Sequence, residues 1–266
     1  MKRLCFVLLL ACSVSMLAGE ELNINNQIPK AKTNLMIQNG LKFLGTPYVA
    51  HTLEVNSPDE KLVVNLKEVD CTTFVEYVLA KSLCNKQNDS IQFLKNLKRI
   101  RYRNGILDGY TSRLHYSTEW ASNGVRNGYL TDIAGKYSKD TISVHLNFMS
   151  THPQAYKQLA SSTDNVKVIA GYEKRLSGQI IHYIPKAKLP KEGFRWIHSG
   201  DIIMLVTSIK GLDNSHLGIA IYQHGELHLL HASSANGKVI IQPEPLCQQL
   251  QNNSKCLGIR VLRMKK

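Results

Sequence analysis

A cysteine attacks as its thiolate, and an imidazole is the side chain best suited to generate one near neutral pH. The sequence holds one stretch where a cysteine sits in a helpful position. Val69-Asp70-Cys71-Thr72-Thr73-Phe74-Val75-Glu76 reads as a helix start. Asp70 suits the N-cap, and Thr73 with Glu76 offers an alternative capping box. Either choice places Cys71 in the first turn, where unpaired N–H groups and the positive end of the helix dipole lower a thiol pKa and can hold an oxyanion. Asp70 opposes this unless its carboxylate is occupied by capping. Cys71, Phe74, Val75 and Val78 share one helical face, so the thiol ends a buried stripe, and plain packing is the competing explanation.

A base for this thiol is found far away along the chain. Ser215 to Tyr222 and Leu227 to Ser233 flank His224-Gly225, a two-residue hairpin turn. That turn fixes a register in which His216 faces Ser233 and His231 faces Gly218, so the two histidines are diagonal neighbours on one face. Gly218 adds no side chain there, leaving room for one imidazole against the other. His216 then suits the base, with its tautomer and orientation set by His231. His228 projects oppositely and His224 lies in the turn. A metal pair is the alternative, but no carboxylate or third histidine stands at ligand spacing.

The elements that must carry these groups read as an α+β chain. Residues 31 to 44 read as a helix ended by Gly45-Thr46-Pro47, and a second helix follows Asp70. Ile91 to Leu97 is apolar and periodic, and Ile100-Arg101-Tyr102-Arg103 is strand-like. From Gly200, the runs 201–206, 217–222, 227–230 and 258–262 read as antiparallel strands. With 266 residues and 43% apolar content the chain can bury a large core. Met1-Lys2-Arg3 followed by an apolar run and small residues up to Gly19 reads as a secretory leader. Leu9-Leu10-Ala11-Cys12 also resembles a lipoprotein box, so Cys12 is a candidate lipid anchor. No other run is long enough to span a membrane. The expectation is export, with the periplasm as the destination.

Of the cysteines left after the leader, Cys247 and Cys256 stand nine apart and can pair in an oxidising compartment, whereas Cys71 and Cys84 remain thiols. The formal charge of +13 attracts polyanions. The basic residues are scattered, with no zinc-finger spacing or aromatic RNA-binding signature. An acidic wall polymer is as natural a partner as nucleic acid, and nucleic acid is set aside.

In order along the chain, Gly45-Thr46-Pro47-Tyr48, Asp70-Cys71, Gly200-Asp201-Ile202, Ser215-His216-Leu217-Gly218-Ile219 and His231-Ala232-Ser233 resemble the motifs of NlpC-type papain-like cell-wall hydrolases. The match covers about residues 35 to 84 and 196 to 263. Gly109 to Tyr116, Phe148 to Pro153 and Tyr183 to Lys186 extend the likeness, over nearly the whole mature chain, to the N-acetylmuramoyl-L-alanine amidase-like branch. The resemblance implies a papain-like core of helices on a small antiparallel sheet. It implies Cys71 as nucleophile, His216 as base, His231 as orienting residue, and Tyr48 beside the nucleophile, where its hydroxyl helps position the scissile carbonyl. Residues 20–266 then form one catalytic domain, with an insertion at about 85–195. The implied substrates are muropeptides, cut between the lactyl group of muramic acid and L-alanine, on anhydro-ended fragments. No metal or cofactor is called for. An endopeptidase cutting after D-glutamate, or a wall-binding module without catalysis, are the rival readings.

The inserted segment carries candidate ligands for such a fragment. Arg113 can clamp a carboxylate, Trp120 or Tyr116 can stack on a sugar face, and His115 can hydrogen-bond a ring substituent.

Overall fold

The computed structural model describes residues 34–54, 59–86 and 88–265. The leader reading, with Cys12, lies outside the described residues. Asn34 caps α1 (Leu35–Leu41) by accepting a hydrogen bond from the Met36 amide at 3.0 Å. The helix stops short of the expected residue 44. The backbone turns at Gly45 (φ 81°), and Pro47 and Tyr48 then bridge to Lys238 and Val69. No described helix is long and apolar enough to cross a membrane.

The helix α2 (Cys71–Ser82) begins where the sequence places it. Asp70 accepts from the Thr73 amide at 2.8 Å, and the Thr73 hydroxyl accepts from the Asp70 amide at 2.9 Å. The alternative box from Thr73 to Glu76 does not form. Glu76 is buried and meets Arg101 at 2.7 Å instead. Asp89 caps α3 (Ser90–Arg101), which absorbs Ile100 and Arg101, the first two of the four residues expected as a strand. The correction has a packing cause: Phe93, Leu97 and Ile100 continue one helical stripe into the core shared with α2.

The middle of the chain contributes α4 (Ser117–Arg126), β1 (Leu130–Asp132), α5 (Ile133–Tyr137), β2 (Thr141–Ser143), α6 (Phe148–Thr151), α7 (Lys157–Ala160), α8 (Thr163–Leu176), β3 (Ile180–His182) and β4 (Ile184–Pro185). It is woven into the rest. Trp120, Ala121, Tyr129 and Leu130 join the core of α1 to α3, while Tyr116, Met149, Leu159 and Ile169 belong to a separate cluster. β2 and β3 pair as a two-stranded ribbon.

The remainder supplies β5 (Ile202–Thr207), β6 (Asn214–Gln223), β7 (Glu226–Ser233), β8 (Lys238–Ile241), α9 (Leu246–Gln251) and β9 (Cys256–Met264). One antiparallel sheet runs in the order β1-β9-β5-β6-β7-β8, with β4 also on β9. β5 is buried throughout, because the helices α1 to α3 lie on one side and α9 with the 189–197 segment on the other. A continuous apolar run is what a strand covered on both faces requires. The β6–β7 hairpin has the register read from the sequence: Ile219 faces Leu230, and Gln223 faces Glu226. His224 (φ 50°) and Gly225 (φ 82°) supply the two left-handed residues of a two-residue turn.

Cys247 and Cys256, offered above as a disulfide, are both buried free thiols. They pack in one apolar cluster, Cys247 on α9 and Cys256 on β9, where the Cys256 thiol donates to the Gly258 carbonyl at 3.4 Å. Buried thiols behave as small hydrophobes.

Candidate active site

Cys71 lines a cleft of about 180 Å³ with His216, and His115, Tyr116, Asp213 and Asn214 complete much of its wall. The convergence is built by α2 packing against β6, which brings the start of β6, with His216 and Leu217, into the same cleft as Cys71. Two larger hollows, of about 530 and 1090 Å³, lack this pairing: one carries His145 without a cysteine, the other Cys84 without a histidine.

The second histidine is where the hairpin register demands. His216 Nε2 lies 2.6 Å from His231 Nδ1, with the rings edge to face at 4.9 Å and 89°. Gly218 makes the room. A Cβ there would stand 2.7 Å from Leu229 Cδ1 and 3.0 Å from His231 Cβ. His231 Nε2 in turn lies 3.2 Å from Gln242 Oε1, and the Gln242 amide nitrogen donates to Glu244. His228 is buried and bonds the Gln242 carbonyl from its Nδ1 at 3.0 Å.

The charge state of the pair differs from the sequence expectation of a depressed thiol. Burial, and after it the neighbouring Asp70, push the Cys71 thiol up to about 11, with the nearby Leu217 backbone and Thr72 offsetting only part of the rise. Burial, then the neighbouring His231, lowers His216 to about 3. At rest both groups are neutral. The helix start is present, but desolvation of the charged form outweighs its dipole. The Tyr48 phenol is raised by burial and then by Cys71 and Asp70, so it stays protonated as a donor, although Tyr48 is not among the described residues that line the cleft.

The four residues proposed to hold substrate fare differently. His115 lines the cleft, with Nε2 on the Tyr110 carbonyl at 3.0 Å, and burial with Arg113 lowers it to about 3, leaving a neutral ring. Arg113 is already spent. It is buried, with Glu60 held in a fork at Nε and Nη2, Glu54 at 2.9 Å, and the Leu53 carbonyl at 3.1 Å, so it has no donor left to clamp a third carboxylate. Trp120 is 3% exposed within the main core and offers no sugar platform. Tyr116 touches the cleft, but it is 4% exposed and its hydroxyl donates to Glu173 at 2.6 Å while accepting from the Met149 amide. Its role is structural as well.

Sequence reasoning passed over Gln242, Glu244, Asp213 and Asn214. The signal for Gln242 was the short β-branched run from Val239 to Ile241. It forms β8 against β7, with Leu230 opposite Ile241 and the Gln242 amide donating to the Leu229 carbonyl at 2.8 Å.

A mixed α+β fold whose cleft is lined by a half-buried thiol and by one imidazole of a bonded pair defines a candidate cysteine-based active site. The chain belongs to the AmiA-like, N-acetylmuramoyl-L-alanine amidase-like family, whose profile matches residues 38–259. It is similar to an N-acetylmuramoyl-L-alanine amidase from Bacteroides uniformis at 54% identity, over 87% of this chain and 99% of that one, with a TM-score of 0.85. It is equally similar, at 54% identity, to a Bacteroides fragilis protein provisionally assigned as a xylanase, over 85% of this chain and 99% of that one (TM-score 0.84). A Legionella pneumophila protein shares the fold at 22% identity, with a TM-score of 0.66 over 87% of this chain and 88% of that one. Among curated proteins none matches the chain.

Proposed function

We propose that this protein is an exported cell-wall amidase of the NlpC-type papain-like kind, cutting muropeptides between N-acetylmuramic acid and L-alanine through a cysteine thioester. The observation that carries it is the shared cleft of Cys71 and His216, with His216 bonded to His231. The amidase-like family supplies the substrate class. A xylanase reading is not supported by the same cleft: glycosidases of that sort use a pair of carboxylates, whereas Asp213 is the one carboxylate in this lining and it accepts the Thr118 amide.

In the proposed cycle His216 takes the Cys71 proton as sulfur attacks the lactyl carbonyl carbon. Transfer coupled to attack suits two groups that are neutral at rest. The oxyanion is held by the Cys71 backbone N–H and the Tyr48 hydroxyl. His216 then passes its proton to the L-alanine nitrogen, the C–N bond breaks, and the peptide leaves with a free amine. Water attacks the thioester with His216 accepting its proton, the C–S bond breaks, and the sulfur leaves protonated. The products are a muramic carboxylic acid and a stem peptide. The leader and periplasmic destination read from residues 1–19 belong to this proposal.

Mass analysis of an anhydromuropeptide digest tests it. The expected products are the sugar with its lactyl acid and the intact stem peptide. A sugar still carrying L-alanine and D-glutamate would show endopeptidase cleavage instead and overturn the assigned bond.

A further inference from the structure

We infer that Gln242 and Glu244 are positioning residues that set which nitrogen of His216 is free to act as a base. The inference rests on the reading of His216 as the base of the proposed reaction. The chain of bonds runs from the rim inward: Glu244 to Gln242, Gln242 to His231, His231 to His216.

The backbone of Gln242 is pinned on both sides, its N–H donating to Leu229 and its carbonyl accepting from His228. What remains to be decided is which end of the amide faces His231. The Glu244 carboxylate oxygen accepts, so the amide turns its NH₂ to Glu244 and its Oε1 to His231. Oε1 also only accepts. His231 therefore carries its proton on Nε2 and keeps a lone pair on Nδ1. That lone pair receives the proton on His216 Nε2, across 2.6 Å. Burial keeps His216 and His231 in the neutral state. A neutral ring with Nε2 protonated has Nδ1 unprotonated, and Nδ1 is then the nitrogen left to take the thiol proton.

Turning the amide over reverses every link. The NH₂ would donate to His231 Nε2, His231 would donate from Nδ1 to His216 Nε2, and His216 would hold its proton on Nδ1. No base would then face Cys71. A carboxylate at the rim thus selects the reactive tautomer three bonds away, through an amide that has no charge of its own. Gly218 belongs to the same device, since a Cβ there would crowd His231.

The experiment reads the tautomers directly, without substrate, by nitrogen-15 NMR of histidine-labelled protein at pH 7. Wild type is expected to show His216 protonated on Nε2 and His231 on Nε2. Glu244→Gln, which can offer either amide end to Gln242, is expected to give a mixture of tautomers and a kcat about tenfold lower with KM unchanged. The exchanged double variant Gln242→Glu/Glu244→Gln restores an acceptor facing His231 and is expected to recover both the single tautomer and most of kcat. A wild-type His216 protonated on Nδ1, or a Glu244→Gln protein with an unchanged tautomer, would overturn the inference. The expected tautomers in a wild-type protein that hydrolyses no muropeptide would uphold the relay and sink the amidase reading alone.

Discussion

Cys71 and His216 are held neutral by the same cause, removal of water from a charged form, acting on groups of opposite polarity. With the thiol near 11, only about one Cys71 in ten thousand is a thiolate at pH 7. The expected signature is the lack of a 240 nm thiolate band at pH 7 in wild type relative to Cys71→Ala. Alkylation by iodoacetamide should climb with pH toward 11. A plateau between pH 4 and 8 would show a preformed thiolate–imidazolium pair and contradict this charge assignment. His216→Ala removes the proton acceptor, and kcat should fall by about 10² to 10⁴. The helix-start position of Cys71 and the adjacency of His216 and His231 were legible in the chain because a helix cap and a two-residue turn are local devices, whereas the meeting of Cys71 with His216 rested on the family resemblance. The structural parts played by Arg113 and Trp120 were not legible. An arginine that clamps a ligand and one that clamps Glu54 and Glu60 look alike until distant carboxylates are placed, and residues 53 to 60 lie far from Arg113 in sequence.

The start of α2 and the β6–β7 hairpin carry the site, so substitutions there separate stability from function. Asp70→Ala loses the capping box around Thr73 and should cost about 0.5–2 kcal/mol, measured by urea denaturation. An unchanged midpoint would contradict the capping role. Between α2 and α3 the buried Glu76–Arg101 pair leaves a heavier mark: Arg101→Met strands a carboxylate in the core, and a loss of about 3–5 kcal/mol is expected. The strand-like look of Ile100 to Arg103 misled because alternation over four residues cannot be told from the tail of a helical stripe. The stripe through Phe93, Leu97 and Ile100 wins by burying three side chains. The strands β5, β6, β7 and β9 were legible from long apolar runs, whereas β1, β4 and β8 are two to four residues long and owe their existence to neighbouring strands.

The molecule as a whole responds to acid through the same burial. His115, His216 and His231 all have folded pKa values below the ordinary 6.5, so they bind protons more readily when unfolded. Their stabilising contribution is complete above about pH 6.5 and is lost as pH falls from there toward 3. Unfolding midpoints in urea should therefore drop steadily from pH 7 to pH 4, and a triple His→Gln variant that still folds should show a shallower decline. A midpoint flat over that range would contradict the burial of the three rings as neutral groups. The middle of the chain was the least readable part, and its weaving explains why. Short elements such as β1 and α5 fill gaps in a core made elsewhere, and their few residues carry little periodic signal.

The most direct test of the account is the mass of the intact protein during turnover. Acid quenching of wild type with anhydromuropeptide should trap a fraction carrying the anhydromuramic acyl group on Cys71, with stem peptide released in an amount equal to that adduct plus the free anhydromuramic acid product. In Cys71→Ala both adduct and hydrolysis should vanish. Undiminished hydrolysis by Cys71→Ala would contradict the nucleophilic role of this thiol.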